Sequence, residues 1–129
     1  MSKELQDRTK CFSLSIIDLV EQIDYSISKR VVMQQLVRSA TSVGANYRAV
    51  CRARSSKEFI AKLNIVLEEI DECCFWLEII QSKKWYDVEE LLDEANQLTA
   101  MFVSALKTIK RKLNYESQNQ HLEPQDPKS

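Results

Sequence analysis

Four stretches of the chain repeat apolar residues every three or four positions, the spacing that lines one face of an α-helix. In the first, Leu5, Phe12, Ile16, Leu19, Val20 and Ile23 share a face, and the pattern stops near Asp24, leaving residues 24–28 as a link. The second runs from about Lys29 to Ala53, with Met33, Leu36, Val37, Ala40, Val43, Gly44, Tyr47 and Cys51 as its stripe. Its middle is built of small residues from Ser39 to Ala45. Gly44 costs about 1 kcal/mol of helix propensity relative to Ala, so close approach of a neighbouring helix is predicted there, ahead of a kink. The third has the most regular pattern. Phe59, Leu63, Val66, Ile70, Cys73, Leu77 and Ile80 alternate steps of four and three, as in a coiled-coil seam, and Ile60, Leu67 and Cys74 widen the stripe. Ser55 followed three residues later by Glu58 predicts a capping box at its start. In the fourth, Asp87 and Glu90 repeat that logic ahead of Val88, Leu91, Leu92, Ala95, Leu98, Phe102, Ala105, Leu106, Ile109 and Leu113.

Short links between successive long helices make sequential helices antiparallel neighbours. The predicted fold is therefore all-α, an antiparallel up-down-up-down four-helix bundle over residues 1–113. Beyond Asn114 the chain turns polar and carries both prolines, so 114–129 is expected to be a disordered tail. One glycine and two prolines in 129 residues suit a helical protein, because the turns of a sheet protein consume both residue types.

Chemistry is mostly excluded by what the pattern lacks. A di-metal carboxylate site in a bundle needs paired Glu-x-x-His segments, and the one histidine, His121, falls in the expected tail. The same histidine is too remote to activate a serine or cysteine nucleophile, and one glycine cannot build a phosphate loop. Glu68, Glu69, Asp71 and Glu72 on the third helix are expected to form a solvated acidic face. No catalytic residue, metal or other cofactor is predicted, and the protein is not expected to be an enzyme. Cys11, Cys51, Cys73 and Cys74 form no C-x-x-C pair and are expected to be reduced. The polar, charged N-terminus and the lack of a long apolar run imply a soluble, cytoplasmic protein without a membrane partner.

The net charge of −1 hides a segregation. Alternating helix directions would gather Lys3, Arg8, Lys10, Arg48, Arg52, Arg54, Lys57, Lys62, Lys107, Lys110, Arg111 and Lys112 at one end of the bundle, with only Glu4, Asp7 and Glu58 among them. Asp87, Glu89, Glu90, Asp93 and Glu94 would lie at the other end, and Arg38 falls on the same side of the second helix as Arg48 and Arg52. Helix dipoles account for part of this distribution but not for Arg54 and Lys57, which lie in or after a link. A phosphate-binding end follows as one expectation, with Arg48, Arg52, Arg54, Lys57, Lys107, Lys110 and Arg111 as contacts to RNA or DNA. A merely solvated basic end is the alternative. No aromatic residue interrupts the cluster, which argues against readout of single strands. A second expectation is self-association. Ile65, Phe75, Trp76 and Ile79 point away from the seam of the third helix, and large side chains left in water mark an interface unless a neighbouring helix covers them. If the basic end is only solvated, the chain reads as an interaction or scaffold module with a protein partner.

The segments RSATSVGANYR (38–48), RARSSKEFIAKL (52–63), EEIDE (68–72) and WLE (76–78) resemble the four helix bundle protein family, also called the 23S rRNA intervening-sequence proteins. The Ser-x-x-Ala-Asn run followed by Arg-Ser-x-Lys-Glu-Phe carries most of the likeness, which extends from Leu5 to Leu113. Some members of that family are encoded within insertions in bacterial large-subunit rRNA genes. The resemblance implies a four-helix bundle assembled into a ring-like homopentamer. It also implies an architecture similar to the basic, nucleic-acid-contacting accessory proteins of diversity-generating retroelements. Family members often carry an acidic residue soon after the Asn, where this chain has Ala49 and Val50.

Overall fold

The computed structural model describes residues 2–122, and all of their regular structure is helical: α1 (Ser2–Gln22), α2 (Ile27–Cys51), α3 (Ser56–Ser82) and α4 (Glu89–Leu122). Each helix packs on the next and α4 returns to α1, so the four close into an antiparallel bundle. Polar bonds mark the register. Tyr86 donates to Gln22 (2.6 Å) at one pole, and Ser13 on α1 donates to the Ala40 carbonyl on α2 (2.8 Å).

The helices begin where side chains take up orphan backbone N–H groups. Ser26 Oγ accepts from Lys29 N, starting α2 about two residues ahead of the sequence estimate, and Ser55 Oγ accepts from Glu58 N at the head of α3, both at 3.1 Å. Among the described residues Glu58 makes no return bond, so half of the expected capping box is present. The head of α4 is shared: Gln81 Oε1 accepts from Val88 N (2.7 Å) and Asp87 Oδ1 from Glu89 N (3.2 Å). At the end of α3, Trp85 N bonds Ile80 O and Lys84 N bonds Gln81 O, a Schellman turn with Lys84 at φ 58° in the left-handed position that glycine usually takes.

The core follows the predicted stripes of α1 and α3, with Phe12, Ile16, Leu63, Val66, Ile70, Leu77 and Ile80 fully buried. On α2 the buried face is Val32, Leu36, Ser39, Ala40, Val43, Tyr47 and Val50, rotated from the expected stripe. Met33, Val37 and Cys51 sit at its margin instead. Ser39 can occupy the interior because its hydroxyl donates to Gln35 O (2.8 Å) and so brings no unpaired polar group with it. Gly44 lies against α1, as the small-residue reading required. A Cβ there would meet Ser13 Oγ at 3.6 Å and the Thr9 carbonyl at 3.7 Å, which are ordinary contacts, so the packing would admit a methyl group. Thr41 and Ala45 are exposed rather than packed under a helix.

One boundary differs from the sequence reading. α4 does not end at Asn114 but runs on to Leu122. No glycine or proline interrupts residues 114–122, and propagating an existing helix adds one hydrogen bond per residue fixed. The rest of the expected tail, 123–129, lies outside the described residues.

Candidate nucleic-acid interface

α2 turns its buried face inward through Val43, Tyr47 and Val50, and therefore presents Thr41, Ala45, Arg48 and Arg52 on the opposite side. Next to this face lie Lys10 of α1 and, across the α2–α3 link, Arg54 and Lys62. Together these residues line a groove of about 660 Å³ whose floor is Gly44, Ala45 and Ala49. Small side chains keep the floor low, so the longer cationic side chains stand up as its rim. Glu58 and Gln6 also line it.

Among the described residues, Lys10, Arg48, Arg52, Arg54 and Lys62 make no ion pair, and neither does Glu58. Two other arginines of the expected basic side behave differently. Arg8 is held by Glu94 (Nη2–Oε1 2.6 Å, Nε–Oε2 3.1 Å) and by Gln97, and the Glu94 hydrogen bond raises its pKa further. It therefore belongs to the acidic flank, although its position at the start of α1 suggested the basic end. Arg38 bonds Glu69 (3.1 Å) and Glu72 (2.5 Å) across the α2–α3 contact. That hydrogen bond holds the Glu72 carboxyl below its ordinary range, and the indole N–H of Trp76, 3.3 Å from the same oxygen, adds to the effect. Pairs formed between helices were not legible from the spacing within one helix.

The remaining predicted contacts are exposed but do not line the groove. Lys57 lies in the first turn of α3, and Lys107, Lys110 and Arg111 lie on α4. The opposite pole carries an acidic depression of about 740 Å³ that includes Asp18, Asp87, Glu89, Glu90 and Glu94. Acidic residues thus gather at the pole away from the groove, although Lys29, Arg30, Lys83 and Lys84 share that pole.

The four residues read as an outer apolar patch separate into two pairs. Ile65 (43% exposed) and Phe75 (54% exposed) face solvent on α3, whereas Trp76 and Ile79 pack against the core margin. Phe75 meets the Trp76 ring edge-on, with centroids 5.0 Å apart. Among the described residues none of Cys11, Cys51, Cys73 and Cys74 forms a disulfide. Burial pushes the Cys73 thiol up to about 12, which leaves it protonated and unreactive. Among the described residues no three His, Cys, Asp or Glu side chains converge as metal ligands, and no helix is long and apolar enough to cross a membrane.

The sequence model of the family described as 23S rRNA-intervening sequence protein matches residues 3–104. The chain belongs to that family. Its fold is similar to that of a crystal structure from Bacteroides thetaiotaomicron, described as a protein with unknown function from the S23 ribosomal protein family. The two share 29% sequence identity and a TM-score of 0.73, over 82% of this chain and 97% of the other. None of the curated proteins matches the chain. The family match covers α1, α2, α3 and the first half of α4, so it includes all the groove residues and stops short of Lys107, Lys110 and Arg111.

Proposed function

We propose that this protein is a non-catalytic, self-assembling bundle that binds the phosphate backbone of RNA or DNA along the groove on the outer face of α2. The observation that carries this reading is the set of five cations, from α1, α2, the α2–α3 link and α3, that line one groove and are left without a carboxylate partner. The same fold pairs Arg8 and Arg38 with carboxylates, so unpaired arginines are not simply the rule on this surface. The family description, with its reference to 23S rRNA, points the same way. Arginine and lysine on a polyanion gain affinity by releasing condensed counterions, which makes binding strongly salt-dependent. Five phosphate contacts give a slope of about −4.5 in a plot of log affinity against log salt, or about a 500-fold loss between 50 and 200 mM salt. A salt titration followed by fluorescence anisotropy reads that slope. A flat response, or no binding at the lowest salt, would leave the protein as a scaffold for protein partners.

Self-assembly is supported by the outward face of α3, where Ile65 and Phe75 stand in solvent on either side of Glu68 and Glu72. Fully burying a large apolar side chain is worth about 1.5–3 kcal/mol, so covering the exposed half of each would return about 1 kcal/mol. Light scattering of the 15.0 kDa chain should give a multiple of that mass, and Phe75→Asp should shift it toward the monomer. The subunit count, expected from the family resemblance to be five, is read in the same measurement. A monomeric wild type would remove this part of the proposal.

A further inference from the structure

From Asn114 to Asn119 every side chain of α4 is exposed, so this part of the helix runs on without a bundle face to bury. Helical continuity sets a register that a disordered tail would lack. Tyr115 follows Arg111 by four residues and Lys107 by eight, so all three lie along one face, and Gln118 and Asn119 come one turn later on the same side. The Tyr115 ring is 65% exposed and belongs to no packed cluster. None of these cations is engaged by a carboxylate among the described residues, and Glu116 points away from the stripe by about a quarter turn.

Cations leading to a bare aromatic ring, with side-chain amides beyond it, suit an unpaired nucleic-acid strand. Arginine and lysine hold phosphates, an aromatic ring stacks on a base, and amides bond base edges. A duplex keeps its base faces stacked and offers nothing for the ring to cover. An acidic protein segment would satisfy the cations but would not need the aromatic face. Resting on the phosphate-binding reading above, we propose that the exposed end of α4 is a second contact surface for the same partner. It takes a single-stranded segment adjoining the duplex, with phosphates on Lys107 and Arg111 and a base stacked on Tyr115. The lack of an aromatic residue within the basic cluster spoke against single-strand readout, and Tyr115 lay beyond the predicted end of the helix.

The test uses the full chain with two labelled RNAs, a blunt duplex and the same duplex carrying a single-stranded tail, at about 0.1 M salt. The wild type should prefer the tailed RNA by about tenfold, the order expected for one base stacked on one ring. Tyr115→Ala should abolish that preference without changing affinity for the blunt duplex, and Tyr115→Phe should retain it. Circular dichroism of both variants shows whether the helix persists. A wild type indifferent to the tail, or a Tyr115→Ala variant that keeps the preference with its helix intact, overturns the proposal. Failure to bind either RNA overturns this proposal, and failure to bind the matching DNA duplex as well overturns the groove reading with it, whereas tight, salt-sensitive binding to the blunt duplex with no tail effect overturns only this one.

Discussion

Reversing Arg52 and Arg54 together to Glu is expected to weaken binding to any duplex about 100-fold at 0.1 M salt and to flatten the salt slope from about −4.5 to about −2.7. Each lost phosphate contact removes about one unit of slope and close to a decade of affinity at that ionic strength, and the new carboxylates add repulsion. The loss should not depend on sequence, because backbone contacts carry no base information. The fold should survive the change. Arg52 caps the C-terminus of α2, where an acid is unfavourable by about 0.3–1 kcal/mol. Arg54 precedes Ser55, the N-cap of α3, where an acid is favourable by a similar amount. The two dipole effects oppose each other, so a thermal melt should move little. Lys83→Glu with Lys84→Glu, the same charge change at the other pole, is the control and should cost less than about threefold. If the groove variant binds as tightly as the wild type while its melt is unchanged, Arg52 and Arg54 are not phosphate contacts.

How far the sequence disclosed this arrangement depends on what each residue's position is decided by. The seam of α3 was legible, since Leu63, Val66, Ile70, Cys73, Leu77 and Ile80 keep the alternating step and nothing polar competes with them, whereas Trp76 and Ile79, read as outward, pack against the core margin. α2 was read with its face turned, since apolar residues flank the true centre on both sides and the stripe was drawn without Ser39. A serine whose hydroxyl bonds its own helix carries little polarity outward, which a residue type alone does not reveal. The end of α4 was missed for the opposite reason. Amphipathic periodicity detects a helix that buries a face, and the residues after Asn114 bury none. At the groove, the convergence of Lys10, Arg48, Arg52, Arg54 and Lys62 followed from chain direction alone. Their freedom from ion pairs did not, because it depends on where Glu69, Glu72 and Glu94 reach across to other helices. The small residues of α2 were assigned to helix contact. Gly44 does meet α1, but Ala45 and Ala49 line the groove floor.

The groove is only as well placed as the buried side of α2, and one aromatic contact across the bundle helps to hold that side inward. Phe102 of α4 is fully buried, and its ring centroid lies 5.5 Å from that of Tyr47, with the planes tilted by 39°. Tyr47 immediately precedes Arg48, so the rotation of α2 that seats the phenol inward is the rotation that turns the arginine outward. Phe102→Ala removes the ring and leaves a cavity between diagonal helices that neither backbone can close. The expected loss is about 3–5 kcal/mol, a third or more of the stability of a typical domain. In urea the midpoint should fall while the slope of the transition stays the same, since the surface exposed on unfolding hardly changes. A second readout follows from the phenol. Burial holds the Tyr47 ionisation above its ordinary value in the native protein, and water admitted to the cavity should bring it back toward that value in an alkaline absorbance titration. Phe102→Leu keeps most of the volume and should recover much of the stability. An unchanged urea midpoint in Phe102→Ala would mean that Phe102 does not anchor the core, and that something other than this contact fixes which side of α2 faces the solvent.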